Sequence, residues 1–576
     1  MRRALSVAVA AVLTACGGAP SVLAPPAPPP PPAPAPLGAF DVVIEGGRIV
    51  DGSGNPWFAG DVGIRGDRIE AITAPGLLRN TPATRRVDGG GKVVAPGFID
   101  IQSQSRFAFL GGGDGRVVSK VMMGVTTEIM GESTTNAPSS AAAIAAAGRS
   151  AGVTVFGTFG EWISAMERHG ASVNFGSFVG ASTVRALGMG QTMGEAGRAE
   201  VDLMREAVAR SMQEGAFGVA SALIYPPGSF ASTEELVAIV SAAAPYGGLY
   251  ITHLRSEGDR LLEALDEAID IGTRSGVPIE IFHLKAAGQR NWHKAEFAVA
   301  KIDSARAAGV DIQANMYPYT AGSTSLTACF PPSASANGRL LQNLRDRTER
   351  TRIRAEIQRP TQSWENLCEL AGPDGVLLLG LSRPGNRRLA GRTLGDVARQ
   401  RGADWIETAF DLVVDEGQGI STAFFMMSEE NVAMQIAIPW MKFGTDAGGF
   451  DPAGSGLVHP RAYGTFARVL GRYVRDEGVT SLEDAVRKMT SAVATRLHIR
   501  ERGLLREGYF ADVVVFDPAT IAERATFSRP NQLAIGVEQV FVNGQAVVAD
   551  GVHTGALPGR AVRGPGWTGA TGMASN

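Results

Sequence analysis

A repeated alternation of short β-branched segments with amphipathic helices fills the middle of the chain, from about Val94 to about His498. Val277–Phe282 and Val310–Asn315 are typical of the segments, and Leu261–Arg274 has apolar residues at helical spacing. Such alternation indicates a parallel sheet. Since no Gly-x-Gly-x-x-Gly turn follows the first strand, eight repeats closing into a TIM-like (β/α)₈ barrel are favoured over an open sheet. We therefore predict an α/β fold with a barrel over residues 94–498.

The two ends of the chain have a different pattern, in which apolar and polar residues alternate. Near the N-terminus this pattern occurs in Asp41–Val50 and Asp61–Glu70, and it returns only in Ala511–Phe516 and Val537–Val548. Alternation with a period of two is typical of half-buried strands in hairpins. We predict one small β-sandwich built from both ends, from residues 40–93 and from residues 499–576, the latter including a C-terminal tail.

The composition is that of an ordinary globular protein, with 44% apolar and 19% charged residues. The net charge is −3, so no basic surface is available to follow a nucleic-acid backbone. Nucleic-acid binding is therefore not expected.

The N-terminal residues have the features of a secretion signal. A basic start at Arg2 and Arg3 precedes the apolar run Ala4–Ala15, which is too short to span a bilayer as a helix. Leu13-Thr14-Ala15-Cys16 resembles the bacterial lipobox, so residues 1–15 are predicted to be a lipoprotein signal peptide and Cys16 the lipidation site. The alternative is a plain signal peptide with a chance cysteine. We expect a lipid-anchored protein of the bacterial periplasm or cell envelope, which contacts the membrane only through this anchor.

Residues 16–39 are predicted to be a linker, because Pro25–Pro36 is almost entirely Pro and Ala. Such a run is extended and cannot pack a core, so it acts as a spacer. Two further cysteines, Cys329 and Cys368, follow in the barrel region. An oxidising compartment permits a bridge between them, but the pairing cannot be read from the sequence, and we expect two buried thiols.

Polar residues follow several of the predicted barrel strands, where the active groups of such barrels stand. The chain has seven histidines, and two of them, His253 and His283, end successive strands. Glu132 and Tyr317 end two others, and Trp440–Gly444 leads to Asp446. Two histidines with an acidic residue form a plausible N,N,O metal site, although each histidine alone is more often structural.

Several motifs together resemble the amidohydrolase superfamily and, more narrowly, the N-acyl-D-amino-acid deacylases (D-aminoacylases). The similarity runs in order from about Asp41 to about Gly559. The motifs are Val93–Asp100, Thr252–Gly258, His283–Gly288, Tyr317–Ser323, Gly444–Asp446, His459–Phe466 and Ala511–Asp517.

One departure from the family pattern concerns the metal. The family's first barrel strand normally ends in a His-x-His pair, where this chain has Gln102-Ser103-Gln104. Glutamine is a poor zinc ligand, so we expect this metal site to be absent. The resemblance implies a second, tighter position held by His253 and His283. Its further ligand, often a cysteine in the family, is expected here to be Glu132, or else Glu132 is a solvated loop carboxylate. The expected cofactor is one Zn²⁺ per chain.

The resemblance also assigns roles to residues beyond the metal. Asp446 is expected to take the proton of the attacking water and return it to the leaving amine, although an aspartate in such a turn can simply cap a helix. Tyr225, Lys285 and Tyr317 match positions that contact the substrate in the deacylases. Arg255, two residues after His253, is a candidate for holding an acidic side chain or a phosphate-like group.

The sequence thus predicts zinc-dependent hydrolysis of the amide bond of small N-acyl-D-amino acids. Two alternatives remain at this point. One is a catalytically impaired binding lipoprotein, and the other is a dipeptidase or a hydantoinase-type hydrolase. No feature of the sequence indicates an oligomeric state.

Overall fold

The structure is a computed structural model that describes residues 38–147, 154–359, 364–454 and 456–569. The predicted signal peptide and lipidation site Cys16 lie outside these ranges, as does nearly all of the linker. No helix within the described ranges combines the length and apolar character needed to span a bilayer.

Strands from both ends of the chain form one nine-stranded sheet. The two ends join where Val513–Phe516 pairs antiparallel with Val93–Pro96. Inward-facing residues such as Val42 and Ile44 pack with Val513 and Val515 in one cluster, so neither end buries its apolar face alone. The strands are Phe40–Ile49, Phe58–Arg65, Arg68–Thr73, Ala83–Asp88, Val93–Pro96, Val513–Phe516, Val537–Val542, Gln545–Ala549 and Val552–His553.

The chain between the two parts of this sheet forms a parallel barrel, as predicted. The strands pair in two parallel runs, and the parallel bridge Ser103–Ala447 joins the ends of the first and last strands. One run contains strands 1, 2 and the first part of strand 3, and the other contains the second part of strand 3 and strands 4 to 8. Strand 3 is interrupted at Phe178. Barrel strands 1 to 8, in chain order, are Phe98–Asp100, Val125–Met130, Asn174–Ser177 continued by Val179–Gly180, Gly218–Ala222, Leu249–His253, Ile279–Ile281, Ile312–Met316 and Met441–Phe443.

Amphipathic helices connect the barrel strands. In Leu261–Ser275 the apolar residues Leu261, Leu265 and Ala268 are buried against the barrel, and the helix ends at the left-handed Gly276. The α-helices are Arg106–Leu110, Val118–Val121, Ala141–Ala147, Phe159–His169, Ala181–Met189, Arg198–Gln213, Thr233–Ser241, Leu261–Ser275, Lys294–Ala307, Leu340–Arg345, Arg347–Gln358, Leu367–Ala371, Leu394–Arg401, Trp405–Glu416, Glu429–Ala437, Arg461–Arg468, Leu482–Met489 and Ser491–Arg496, and a π-helix covers Val469–Asp476.

A segment inserted between barrel strands 7 and 8 forms its own small sheet and core. Its three antiparallel strands are Ala321–Ser325, Val376–Gly380 and Ser421–Phe425. Cys329 and Cys368 are buried here as expected, but they form a disulfide, so the expectation of two free thiols is wrong. The insertion packs the helix Leu367–Ala371 against the turn that ends at Cys329, which brings the two sulfur atoms together.

Candidate metal centre and active site

Three side chains converge at the carboxyl end of the barrel. His253 is the last residue of strand 5, His283 follows strand 6 by two residues, and Glu132 follows strand 2 by two residues. Glu132 is reached through Gly131, which has φ +113° and whose absent Cβ would lie 2.6 Å from the carbonyl oxygen of Phe178. Only glycine can adopt this backbone conformation so close to Phe178, and the resulting turn directs Glu132 toward the histidines.

The three side chains form a compact donor set. Their candidate ligand atoms all lie within 4.8 Å of one another. The His283 Nε2 atom is 3.3 Å from Glu132 Oε1 and 3.1 Å from His253 Nδ1. His253 Nε2 is buried without a hydrogen-bond partner, which is costly for a ring nitrogen unless a ligand completes it. Two imidazoles and a carboxylate suit a divalent zinc-like ion, so the residues present fit a metal.

Glu257 lies against both histidines. Its Oε1 atom is 3.0 Å from His283 Nδ1 and 3.3 Å from His253 Nδ1, and it accepts a hydrogen bond of 2.5 Å from Lys285 Nζ. Burial alone would raise the pKa of Glu257, but His253, Lys285 and His283 hold that pKa well below its usual range. A carboxylate bonded to metal-binding imidazoles fixes their orientation. Sequence reasoning missed Glu257, although its place four residues after His253 was a usable signal.

The two glutamines that stand in place of the His-x-His pair bind the remaining oxygen of Glu132. The side-chain amides of Gln102 and Gln104 each donate a hydrogen bond of 2.8 Å to Glu132 Oε2. The Gln104 amide also lies 3.2 Å from Asp446 Oδ1. These neutral donors therefore occupy Glu132 Oε2 and contact Asp446 Oδ1.

Asp446 follows strand 8 in a left-handed conformation, with φ +46°. Its backbone N–H donates to the Gln102 carbonyl oxygen at 2.8 Å, and its Oδ2 lies 2.9 Å from Arg461 Nη2. Burial raises the pKa of Asp446 to about 6, against the opposing effect of Arg461 and with a further contribution from Glu132. The next helix begins only at Arg461, so Asp446 is not a helix cap. A partly exposed carboxylate with a pKa near neutrality suits a general base.

A cavity of about 650 Å³ opens onto these groups. Glu132, His283, Asp446 and Arg461 line it together with Tyr225. The Tyr225 ring stacks on His253 with centroids 5.4 Å apart, and burial raises the pKa of its hydroxyl well above the usual value, so that it is a neutral hydrogen-bond donor. The volume is that of a small-molecule site.

Arg461, which lines the cavity, was also missed by sequence reasoning. Its Nε and Nη1 atoms are buried without partners, and its guanidinium lies 4.5 Å from the centroid of the Tyr317 ring. The ring nitrogens of His459, in the same His-Pro-Arg segment, are both engaged by backbone groups, those of Ala321 and Arg461. Arg461 thus has two guanidinium nitrogens without a protein partner beside the cavity that it lines, while His459 supports the loop.

The structure places the other predicted contact residues outside this cavity. Lys285 and Tyr317 line a small cavity that shares His283 with this one, and Lys285 Nζ lies 2.8 Å from His283 Nδ1. Arg255 is bound by Glu267, with its Nε atom 2.9 Å from Glu267 Oε2 and its Nη2 atom 2.9 Å from Glu267 Oε1. The geometry therefore brings Glu132, His253, His283, Tyr225 and Asp446 together and does not bring Arg255 to them.

Comparison with known proteins places this site in a family. The chain is 35% identical over 534 residues to D-aminoacylase of Alcaligenes xylosoxydans xylosoxydans, covering 90% of this chain and 97% of that protein. The chain belongs to the D-aminoacylase family. A family model described as "Amidohydrolase family" matches residues 392–548. As a D-aminoacylase family member, the chain is an amidohydrolase that acts on carbon–nitrogen bonds other than peptide bonds.

Solved structures of D-aminoacylase family members share the fold. A D-aminoacylase structure, from work on its binuclear metal centre with one-metal activation and second-metal attenuation, is 34% identical with a TM-score of 0.75. An N-acyl-D-glutamate deacylase from Bordetella bronchiseptica, complexed with zinc and a phosphonate inhibitor, is 31% identical with a TM-score of 0.75. Each comparison covers 91% of this chain and 100% of the other. The (β/α)₈ barrel with its β-sandwich is therefore confirmed.

Beneath the site, a buried ammonium group ties the loop of Asp446 to barrel strand 1. Lys120 Nζ donates to Asp100 Oδ2 at 2.7 Å, to Thr445 Oγ1 at 2.6 Å and to the Ala447 carbonyl oxygen at 2.7 Å. The second carboxylate, Glu128, lies 2.9 Å from the same Nζ atom, and both ion pairs are fully buried. The residues on either side of Asp446 are thus held by one cation that no water reaches.

Proposed function

We propose that the protein hydrolyses the amide bond of N-acyl-D-amino acids with a single divalent metal ion, zinc. The observation that carries the proposal is the convergence of Glu132, His253 and His283 beside Asp446, in a cavity where glutamine amides stand in place of the histidine pair. The relatives' activity on N-acyl-D-amino acids and the zinc in the deacylase structure support the substrate class and the metal.

The proposed mechanism assigns each group one task. Glu132, His253 and His283 would hold the metal, which would supply Lewis-acid polarisation of the scissile carbonyl and lower the pKa of the attacking water. Asp446, with its raised pKa, accepts the proton of that water and delivers it to the nitrogen of the leaving amine. Gln104 and Arg461 hold the two oxygens of Asp446. Arg461 and Tyr225 offer donors to the α-carboxylate of the substrate.

The glutamine pair supports a single metal in this proposal. Each amide presents an N–H group to Glu132, and an N–H donor repels a cation that would sit at the same oxygen. We expect elemental analysis of the purified protein to find about one zinc per chain. Two tightly held metals per chain would contradict the single-metal proposal while leaving the hydrolase intact.

The substrate class is tested with a panel of matched compounds. We expect turnover of N-acetyl-D-amino acids and little turnover of their L-enantiomers, of dipeptides or of hydantoins, with the zinc content measured on the same preparation. Binding of N-acyl amino acids without turnover, at full zinc content, would favour the binding lipoprotein. Turnover of hydantoins or dipeptides instead would favour those alternatives.

We also propose that the protein is lipid-anchored in the periplasm or cell envelope. The support is the lipobox-like sequence Leu13–Cys16 followed by an extended Pro/Ala spacer. We expect Cys16→Ala to move the protein from the membrane fraction to the soluble fraction. An unchanged distribution between these fractions would support a plain signal peptide instead.

A further inference from the structure

A second arginine, Arg106, lines the proposed substrate cavity together with Arg461, and it has no carboxylate partner within the described ranges. It lies two residues after Gln104, at the start of the helix Arg106–Leu110. Its Nη1 atom donates to the Thr134 carbonyl oxygen at 3.1 Å, and its guanidinium packs over the ring of Phe107 at 4.7 Å. Throughout the described ranges, no Asp or Glu oxygen lies within 4.0 Å of this guanidinium.

The residues outside the described ranges supply no carboxylate partner for Arg106 either. None of the residues outside the described ranges is Asp or Glu. Arg106 is half-buried. The buried arginines of the described ranges have carboxylate partners, as in the pairs Arg185–Glu235, Arg496–Glu280 and Arg502–Asp512. Arg106 differs from these in facing the cavity without a carboxylate beside it.

The surroundings of Arg106 favour an anionic ligand. Burial lowers the pKa of its guanidinium, and no neighbouring carboxylate opposes that effect. A cation partly withdrawn from water without a counter-ion is unfavourable, and a ligand of opposite charge would offset that cost. The planar guanidinium has several N–H donors, which match the two oxygens of a carboxylate.

The two cavity arginines are attached to different walls. Arg106 is tied to the loop of Glu132, because the Thr134 N–H group donates to the Glu132 carbonyl oxygen at 2.6 Å. Arg461 is instead tied to Asp446, with Arg461 Nη2 2.9 Å from Asp446 Oδ2. With the α-carboxylate assigned to Arg461 under the proposed function, Arg106 is left to bind a separate anionic group.

We propose, on the basis of the proposed function, that Arg106 binds a second carboxylate on the substrate, so that the preferred substrate is a dianionic N-acyl amino acid. That carboxylate has two chemical sources. It belongs either to an acidic amino-acid side chain or to a dicarboxylic acyl group such as succinyl. The Ser133, Thr134 and Ser182 hydroxyls that line the same cavity suit the polar end of either group.

The test compares near-isosteric substrates that differ in one charge. The kcat/KM of the wild type is measured for two pairs, N-acetyl-D-glutamate with N-acetyl-D-glutamine and N-succinyl-D-alanine with N-succinamoyl-D-alanine. The second member of each pair keeps the α-carboxylate and has a neutral amide in place of the second carboxylate, and is called the neutral analogue below. We expect the charged member of at least one pair to be preferred. The preferred pair identifies whether the side chain or the acyl group carries the second carboxylate.

Substitutions then assign the preference to Arg106. We expect Arg106→Gln to lower kcat/KM for the preferred dianionic substrate by about 10- to 100-fold, the effect of a charge-assisted hydrogen bond, and to change that of its neutral analogue little. Arg106→Lys should retain part of the preference. Arg116→Gln serves as the matched control, because Arg116 pairs with Asp114 and does not line the cavity.

The outcomes separate this inference from the proposed function. Equal loss on charged and neutral substrates, or preference for both neutral analogues, would overturn the role of Arg106 while the deacylase activity stands. If none of the four compounds is hydrolysed, the proposed function fails, and their binding to wild type and Arg106→Gln is compared by calorimetry. Weaker binding of only the dianions to the variant would then support the subsite, and equal binding would refute it.

Discussion

Replacing Asp446 by asparagine is expected to lower kcat by about 10²- to 10⁴-fold with little change in KM, because a positioned general base contributes an effect of that size. The substitution preserves the shape of the side chain and removes its basicity. Asp446 is assigned proton transfer and no role in substrate affinity, so the loss falls on an interaction made in the transition state. The measurement is steady-state kinetics, with zinc content determined on the same samples. A variant with wild-type kcat would exclude Asp446 as the base.

The pH dependence of the wild type provides a second readout of this carboxylate. Asp446 acts as a base only when deprotonated, and burial raises its pKa to about 6. Activity should therefore fall as the pH decreases through that pKa. A bound divalent cation favours the carboxylate form, so the acid limb of kcat/KM is expected at or below about pH 6. The residual activity of Asp446→Asn should lack this limb. The same limb in both proteins would assign it to another group.

Replacing His253 by alanine is expected to remove the metal and to lower kcat by more than about 10³-fold, since a metal ion contributes several kcal/mol to such a transition state. His253 supplies one of three candidate ligands, and Glu132 and His283 alone do not make a zinc site of ordinary coordination. The fold should persist, because the ligands stand on a barrel whose core is already packed. Elemental analysis, activity and a thermal melt measure the three effects.

A histidine away from the site provides the control for His253. His553 is half-buried in the terminal sheet, where its Nε2 atom lies 3.0 Å from Ser172 Oγ. We expect His553→Ala to retain both zinc and activity. Full zinc content in His253→Ala would show that the metal is held elsewhere, and the donor set would then need to be reassigned.

The sequence predicts the parts of the site that depend on barrel geometry. Because parallel strands end at one edge, His253, His283 and the segment before Asp446 could be placed together from their strand positions alone. Glu132 was also placed by its strand position, and the family resemblance added its expected role as the third metal ligand. Its orientation depends on the turn at Gly131, which the strand pattern alone does not show.

The contacts of Arg461 and Lys285 and the disulfide depend on packing between distant parts of the chain, which the sequence does not show. Arg461 reaches Asp446 from a helix that begins 15 residues later, after a loop of irregular structure. The contact of the Lys285 ammonium group with Glu257 at 2.5 Å was not predicted from the sequence either, and the role of Lys285 at the substrate stays a prediction. The disulfide depends on how the inserted segment folds, and the spacing of Cys329 and Cys368 carries no information on that.

The buried Lys120 network has a consequence for how this active site can change. Thr445 and Ala447 are anchored through Lys120 and Asp100, so the backbone on either side of Asp446 is held independently of the side chains at positions 102 and 104, although Gln104 also contacts the Asp446 carboxylate. Asp100 on barrel strand 1 thus helps to hold the loop of Asp446, whereas Gln102 and Gln104, which follow the same strand, bind the candidate metal ligand Glu132. If the proposed single-metal centre is right, substitution at those two positions is expected to change the number of bound ions while the backbone of Asp446 stays in place, which makes these positions a practical target for redesign.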